Sequence, residues 1–124
     1  MNKGSDVNSY FIGFNMLDPV IGTGSTPDEQ VRHRKLRQAI SIAMDWEEYS
    51  KIFPKKAGST AMGPLPLGIF GSREGTAAGV NPVTHRWQDG KAVRRSIEDA
   101  KALMVEAGYP QGRDAKTGKP LVLN

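Results

Sequence analysis

The chain has 124 residues, a formal net charge of +4, 14 glycines, 8 prolines and no cysteine. This composition excludes a disulfide scaffold, a zinc–thiolate site and a thiol nucleophile. No apolar run approaches the roughly 18 residues that a membrane-spanning helix needs, and the polar first residues predict no secretory signal in this sequence. We expect a single partial domain over residues 1–124, with residues 1–8 disordered or left over from cloning.

The first predicted element is a strand over Ser9–Met16. Alternate residues in this segment are large and apolar, and a period of two with aromatic enrichment is typical of a strand with one buried face. The residues on that face are Tyr10, Ile12, Phe14 and Met16. Asp18-Pro19 ends the strand, and the glycine-rich segment Gly22–Ser25 is a flexible connection.

Two helices are then predicted in succession. The first runs from about Pro27 to Met44, because Thr26 is a suitable cap, proline suits the first helical position and Glu29 completes a capping box. Asp45 begins a second, shorter helix, which Pro54 stops. Its apolar side carries Trp46, Tyr49, Ile52 and Phe53. At helical spacing these side chains favour a core role over stacking on a ligand.

A long loop separates these helices from the last two elements. Glycine and proline interrupt the chain from Lys55 to Gly90, so we expect a loop that is functional or packed against something outside this chain, with a tight turn at Asp89-Gly90. A third helix follows Ser96, and Gly108 predicts a left-handed end to it. Leu121–Leu123 is predicted to be a strand.

A basic run on the first helix is the strongest candidate for nucleic-acid binding, since each neutralised phosphate releases counterions. Its residues are Arg32, Arg34, Lys35 and Arg37. On a helix, however, neighbouring residues fan out around the axis, and Asp28 and Glu29 precede the run. We therefore favour a solvated helix face and keep a small basic nucleic-acid-binding domain as the alternative function.

The remaining chemistry is sparse. Gly112–Lys119 has the glycines and lysine of a phosphate loop, but five residues separate the glycines and Pro120 replaces the hydroxyl residue, so a plain turn is predicted. His33 and His85 fall on different elements and have no metal-ligand spacing. No hydroxyl is paired with a base. We predict no catalytic residue, no metal site and no cofactor.

Four segments, taken in order, resemble the bacterial extracellular solute-binding protein family 5, the dipeptide, oligopeptide and nickel-type binding components of ABC importers. The segments are Tyr10–Met16, Lys35–Ile40 with Ala43–Asp45, Ala61–Pro66, and Ala100–Leu103 with Glu106–Pro110. The insertion from Gly71 to Trp87 resembles a subset of oligopeptide-type members. The resemblance covers nearly the whole chain from about Ser9 onward.

The resemblance implies an α/β fragment of a type II periplasmic-binding-protein-like lobe, in the order strand, helix, helix, long loop, helix, strand. The whole protein would be a periplasmic or extracytoplasmic component of a peptide importer, binding solute between two lobes by hinge closure and passing it to membrane permease subunits. The usual ligand-contact residues lie outside this sequence, so the ligand-binding residues are unknown. Ala61–Pro66 either lines the cleft or is a buried connector.

Two further expectations follow. The fragment is expected to self-associate through exposed strand edges, and no nucleic acid is expected as a partner. A purely structural interaction domain within a larger assembly is a third hypothesis.

Overall fold

A computed structural model describes residues 11–53, 58–66 and 69–123. The chain divides into two compact units, which we call the helical unit (Gly13–Met44 with Arg94–Asn124) and the hairpin unit (Met1–Ile12 with Asp45–Val93). The elements in chain order are helix α1 (Pro27–Ala43), helix α2 (Trp46–Ile52), strands β1 (His85–Gln88) and β2 (Lys91–Arg94), and helix α3 (Ile97–Glu106). The described residues are therefore mixed helix and strand, with one two-stranded sheet.

Helix α1 begins as its sequence predicts. The Thr26 hydroxyl accepts the amide of Glu29 at 3.2 Å, and the Glu29 carboxylate accepts the amides of Ser25 and Thr26 at 2.8 and 3.2 Å. These bonds lower the pKa of Glu29, because they stabilise its ionised form. At the other end, where α1 has no basic residue of its own, Arg94 donates to the carbonyl of Ile42 at 2.5 Å. Side chains thus supply hydrogen bonds to backbone groups at both ends of α1.

Helix α3 has the same kind of start and a glycine end. Ser96 and Asp99 form its capping box. At its end the amide of Tyr109 donates to Met104 O at 2.8 Å, and the amide of Gly108 donates to Val105 O at 3.0 Å. This pair of bonds is a Schellman motif, which needs a left-handed residue, and Gly108 has φ 90°. The predicted left-handed end of the third helix is confirmed.

The apolar core of the helical unit lies where α1 packs on α3. Leu36 and Ile42 are fully buried there. Ala39 and Ala100 are also buried, and small residues at a contact let two helices approach closely. The remaining buried apolar residues are Ile21 and Ala107, against which Phe14, Val20, Ile40, Met104, Tyr109 and Leu121 pack. Ala43, by contrast, is exposed.

Helix α2 forms as predicted, but its aromatic side does not enter a core. The Asp45 carboxylate accepts the amide of Glu48 at 2.9 Å, which starts the helix. No residue of α2 is buried. Trp46 and Tyr49 meet edge to face at 5.7 Å, and the rings of Tyr49 and Phe53 lie 4.9 Å apart. The expected core role is wrong, because in a seven-residue helix these rings pack on one another at its surface.

The end of the long loop continues into a β-hairpin that was not predicted, with β2 beyond Gly90. The tight turn at Asp89-Gly90 is confirmed: Asp89 has φ 50° and Gly90 has φ 78°, and two positive φ values are those of a type I′ hairpin turn. The strands on either side are short. The pairing signal was present, since an Asp-Gly turn flanked by extended segments predicts a hairpin.

The two terminal strands are corrected. Phe11–Asn15 forms no strand, and the carbonyl of Met16 accepts the amide of Thr23 at 2.9 Å inside a loop. Leu121–Leu123 forms no strand either; nearby, Arg113 and Pro120 make one isolated antiparallel bridge. Alternation predicts a strand only where a partner completes the ladder, and the described residues supply none here.

Several predictions lie outside the described residues. They concern residues 1–8, the first two residues of the predicted Ser9–Met16 strand, and Pro54 as the stop of the second helix. Among the described residues, none of the helices has the length and apolarity to cross a membrane.

Candidate binding surface

The basic run on α1 is largely engaged within the helical unit. Arg32 pairs with Asp28 one turn earlier at 3.2 Å, and Lys35 bonds Glu106 of α3 at 2.6 Å. Exposed pairs of this kind contribute little stability, but each neutralises a cation that a phosphate would need. Arg34 is exposed. The arrangement gives the run a structural role and does not favour nucleic-acid binding.

The last residue of the run, Arg37, anchors a loop. Its guanidinium donates to the carbonyls of Ile21 and Gly22, both at 2.6 Å, and Nδ1 of the buried His33 donates to Gly22 O at 3.2 Å. Burial lowers the pKa of Arg37, with a smaller contribution from the neighbouring charge of Arg34. His33 and Arg37 are thus hydrogen-bonding residues of the core rather than ligands for a partner.

The segment with phosphate-loop glycines is the plain turn that was predicted. The Asp114 carboxylate accepts the amides of Lys116 and Thr117, both at 2.8 Å. These bonds lower the pKa of Asp114. The amide of Gly118 donates back to Asp114 O at 2.8 Å and closes the turn. Amides that a phosphate would need are therefore already bonded to a carboxylate.

The hairpin unit contains an open concavity with two adjoining compartments of about 210 and 380 Å³. The first is lined by Met62–Leu65, Gly71–Glu74 and Ala78–Val80. The second is lined by Met62, Glu74, Gly75, Gly79, Val80, Trp87 and Gly90–Ala92. Sites for small molecules in proteins have volumes of this order. We call this feature the hairpin-unit concavity.

A tight turn shapes one wall of the concavity. The carbonyl of Arg73 accepts both the amide and the hydroxyl of Thr76, at 3.2 and 2.7 Å. Gly79 then lies so close that an added Cβ would stand 1.8 Å from Arg73 O. Only glycine fits this backbone approach, so the wall depends on Gly79.

The concavity combines an apolar wall with charges of both signs. Met62, Leu65, Val80 and Trp87 supply the apolar surface. Glu74, which borders both compartments, is half-buried, whereas Arg73 and Lys91 are exposed. Among the described contacts, none of these three charged side chains has an ion-pair partner. The lining of the concavity thus carries one acidic and two basic side chains beside its apolar ones.

The segment Ala61–Pro66 contains no buried residue, and four of its six residues are exposed. Met62, Gly63, Pro64 and Leu65 line the concavity. These residues are thus a surface segment of the hairpin unit, and the role of lining the cleft between the lobes stays a prediction. Sequence reasoning missed Glu74, Arg73 and Lys91, because no spacing rule relates the loop to the hairpin.

The two histidines belong to different units. His85 is buried in the hairpin unit, where its Nε2 lies 2.7 Å from Glu47 Oε1 and its Nδ1 lies 2.9 Å from the Thr84 hydroxyl. In the part of the chain that the structure describes, no group of three His, Cys, Asp or Glu side chains could hold a metal ion.

The chain matches, over residues 1–124, the family model described as bacterial extracellular solute-binding proteins, family 5 Middle. The mixed helix and strand architecture is consistent with a lobe of a solute-binding protein. The chain belongs to this family, as a fragment of such a protein. No curated protein and no solved structure matches it.

Family membership carries several coarse properties. The family is extracytoplasmic, non-enzymatic and associated with transport; its members bind solutes and interact with the permease components of ABC importers. The family match over residues 1–124 confirms the resemblance found in the sequence.

Proposed function

We propose that this chain is part of the second lobe of the periplasmic solute-binding component of a peptide importer. In the whole protein the solute, an oligopeptide, is held between two lobes that close about a hinge. Membrane permease subunits of the ABC type then receive it. Family membership supports the transport role, and the chemistry of the hairpin-unit concavity supports the peptide class.

The observation that carries the peptide class is the combination of groups around Glu74. A peptide has an ammonium group, a carboxylate and apolar side chains. In the concavity, Glu74 can pair with the ammonium group, Arg73 and Lys91 with the carboxylate, and Met62 and Trp87 can contact the apolar side chains. A neutral sugar has no charge to pair with these side chains, and a bare metal ion would need more carboxylate, imidazole or thiolate ligands than the described concavity contains.

The test is calorimetry of the intact protein against a peptide library. We expect saturable binding, and we expect Glu74→Gln to weaken it by about tenfold, since a charge-assisted hydrogen bond contributes about 1.5 kcal/mol or more. N-acetylation removes the ammonium charge of the peptide. It should therefore weaken binding to the wild type by a similar factor and weaken binding to the variant little further. The matched control is Glu98→Gln, on the exposed face of α3.

Two outcomes would contradict the proposal in different ways. Failure of every peptide to bind the intact protein would remove the peptide class. Peptide binding that Glu74→Gln leaves unchanged would keep the class and show that the concavity does not contact the solute.

A further inference from the structure

The described part of the hairpin unit has one buried residue, and it is a histidine. His85 is 5% exposed, whereas large apolar side chains of the same unit, among them Tyr49, Ile52 and Phe53, are exposed. A buried polar residue is ordinarily surrounded by partners that satisfy it. His85 is therefore buried where most small units bury an apolar residue. Its two hydrogen bonds determine which elements of the unit it connects.

Local sequence places the imidazole. The Asn81 side chain accepts the amide of Val83 at 3.0 Å, and the Asn81 carbonyl accepts the amide of His85 at 2.9 Å. This turn delivers His85 to the first position of β1, the one buried position in that strand. Thr84, just before it, bonds Nδ1 through its hydroxyl.

The opposite ring nitrogen reaches helix α2. Nε2 lies 2.7 Å from Glu47, which belongs to the first turn of that helix and is about one-third exposed. Helices shorter than about 12 residues are marginal by themselves in water, and α2 has seven residues, none of them buried. The bond between His85 and Glu47 thus joins a weakly held helix to the hairpin.

We propose that His85 and Glu47 form a pH-sensitive latch that holds α2, with its exposed aromatic rings, on the hairpin. In the neutral ring the geometry assigns the proton to Nε2, which donates to Glu47, and Nδ1 accepts from Thr84. Protonating the ring adds a positive charge to this bond and strengthens it. Protonating Glu47 removes the ionised acceptor and weakens it.

The other charged groups on these elements are Asp45, Glu48 and Lys51 on or beside α2, and Arg86, Asp89, Lys91 and Arg94 on the hairpin. Protonation of the imidazole alone therefore tightens the latch, and protonation of the Glu47 carboxylate releases it together with the Trp46 and Tyr49 rings.

The test is amide hydrogen exchange of the intact protein, expressed as protection relative to the unstructured chain and followed from about pH 7 to about pH 4. We expect protection of Trp46–Ile52 to rise where the imidazole is protonated and to fall where the Glu47 carboxylate is protonated. Glu47→Gln should lower it about tenfold, the effect of losing one charge-assisted bond, and His85→Gln should do the same. Glu48→Gln, one position along the same helix, is the control.

Three results would overturn the latch. The first is equal protection of α2 in Glu47→Gln and Glu48→Gln. The second is wild-type protection that does not change with pH. The third is loss of protection in α1 as well as α2 in the Glu47→Gln variant, which would make the pair a general structural contact. Glu47 is partly exposed, so its variant tests the bond even where His85→Gln does not fold.

Discussion

At the scale of single residues, short carboxylate side chains organise the loops. Asp18 accepts the amides of Val20 and Ile21 at 2.8 and 3.0 Å, and Asp114 does the same for Lys116 and Thr117. Each carboxylate accepts hydrogen bonds from loop amides that would otherwise bond only to water. Aspartate side chains thus satisfy backbone amides in two loops of the helical unit, where no helix or strand bonds those amides.

The pH dependence of stability follows from these bonds. The amides of Ile21 and Val20 lower the pKa of Asp18 below its ordinary value of 3.8. A group whose pKa is lower in the folded state stabilises the fold above the unfolded pKa, and this contribution is lost as the pH falls through the folded value. We expect Asp18→Asn to flatten the loss of stability below about pH 4, measured by urea unfolding at several pH values.

The control for that prediction is Glu98→Gln, which leaves the loop bonds in place. If the free energy of unfolding falls equally steeply with decreasing pH in Asp18→Asn and in the control, Asp18 does not contribute to acid sensitivity.

Gly22 shows how closely the loop that contains Asp18 is packed. An added Cβ at Gly22 would stand 2.4 Å from the carbonyl oxygens of both Asp18 and Met16. Gly22 O is also the shared acceptor of His33 and Arg37. The sequence suggested a flexible connection here, because glycine and serine are common in flexible segments. In the structure the residue is glycine because nothing larger fits.

At the scale of elements, the contact between α1 and α3 holds the helical unit together. Ala39 and Ala100 are 1% and 3% exposed, so neither position has room for a longer side chain. We expect Ala39→Leu to lower the free energy of unfolding by about 1–3 kcal/mol, the usual cost of overpacking a core. Urea denaturation followed by circular dichroism measures this directly.

Ala43 provides a matched control on the same helix. It is exposed at the end of α1, so Ala43→Leu should change the free energy of unfolding by less than about 0.5 kcal/mol, as surface substitutions usually do. Similar losses in the two variants would mean that the α1–α3 contact is not limited by side-chain volume.

At the scale of the whole molecule, apolar side chains on the surface are the dominant feature. Phe70 is fully exposed and Leu17 is 93% exposed, and the hairpin is a two-stranded sheet with short strands. Exposed apolar groups and open strand edges favour association. We expect this chain, produced alone, to self-associate with rising concentration, as seen by light scattering.

Replacing Leu17 and Phe70 by serine should shift that association to higher concentration. A wild-type chain that stays monomeric at high concentration would contradict the prediction. Persistent association in the double variant would instead point to the strand edges as the contact.

The features that depend on neighbouring residues could be predicted from the amino-acid sequence. The capping residues Thr26 and Ser96, the left-handed Gly108 and the Asp89-Gly90 turn are local, since each acts through bonds to residues a few positions away. Together with Asp45, the cap of α2, they located three helices and one turn correctly. The family resemblance also rested on local segments, such as Lys35–Ile40 and Glu106–Pro110, and the family match confirmed it.

The features that depend on residues far apart in the chain could not be predicted from the amino-acid sequence. The strands predicted over Ser9–Met16 and Leu121–Leu123 failed in the described residues because alternation does not supply a partner. The aromatic face of α2 stayed at the surface because its burial requires a second element. The pairing of His85 with Glu47 and the grouping of Glu74 with Lys91 join residues far apart in the chain, and local spacing cannot specify such contacts.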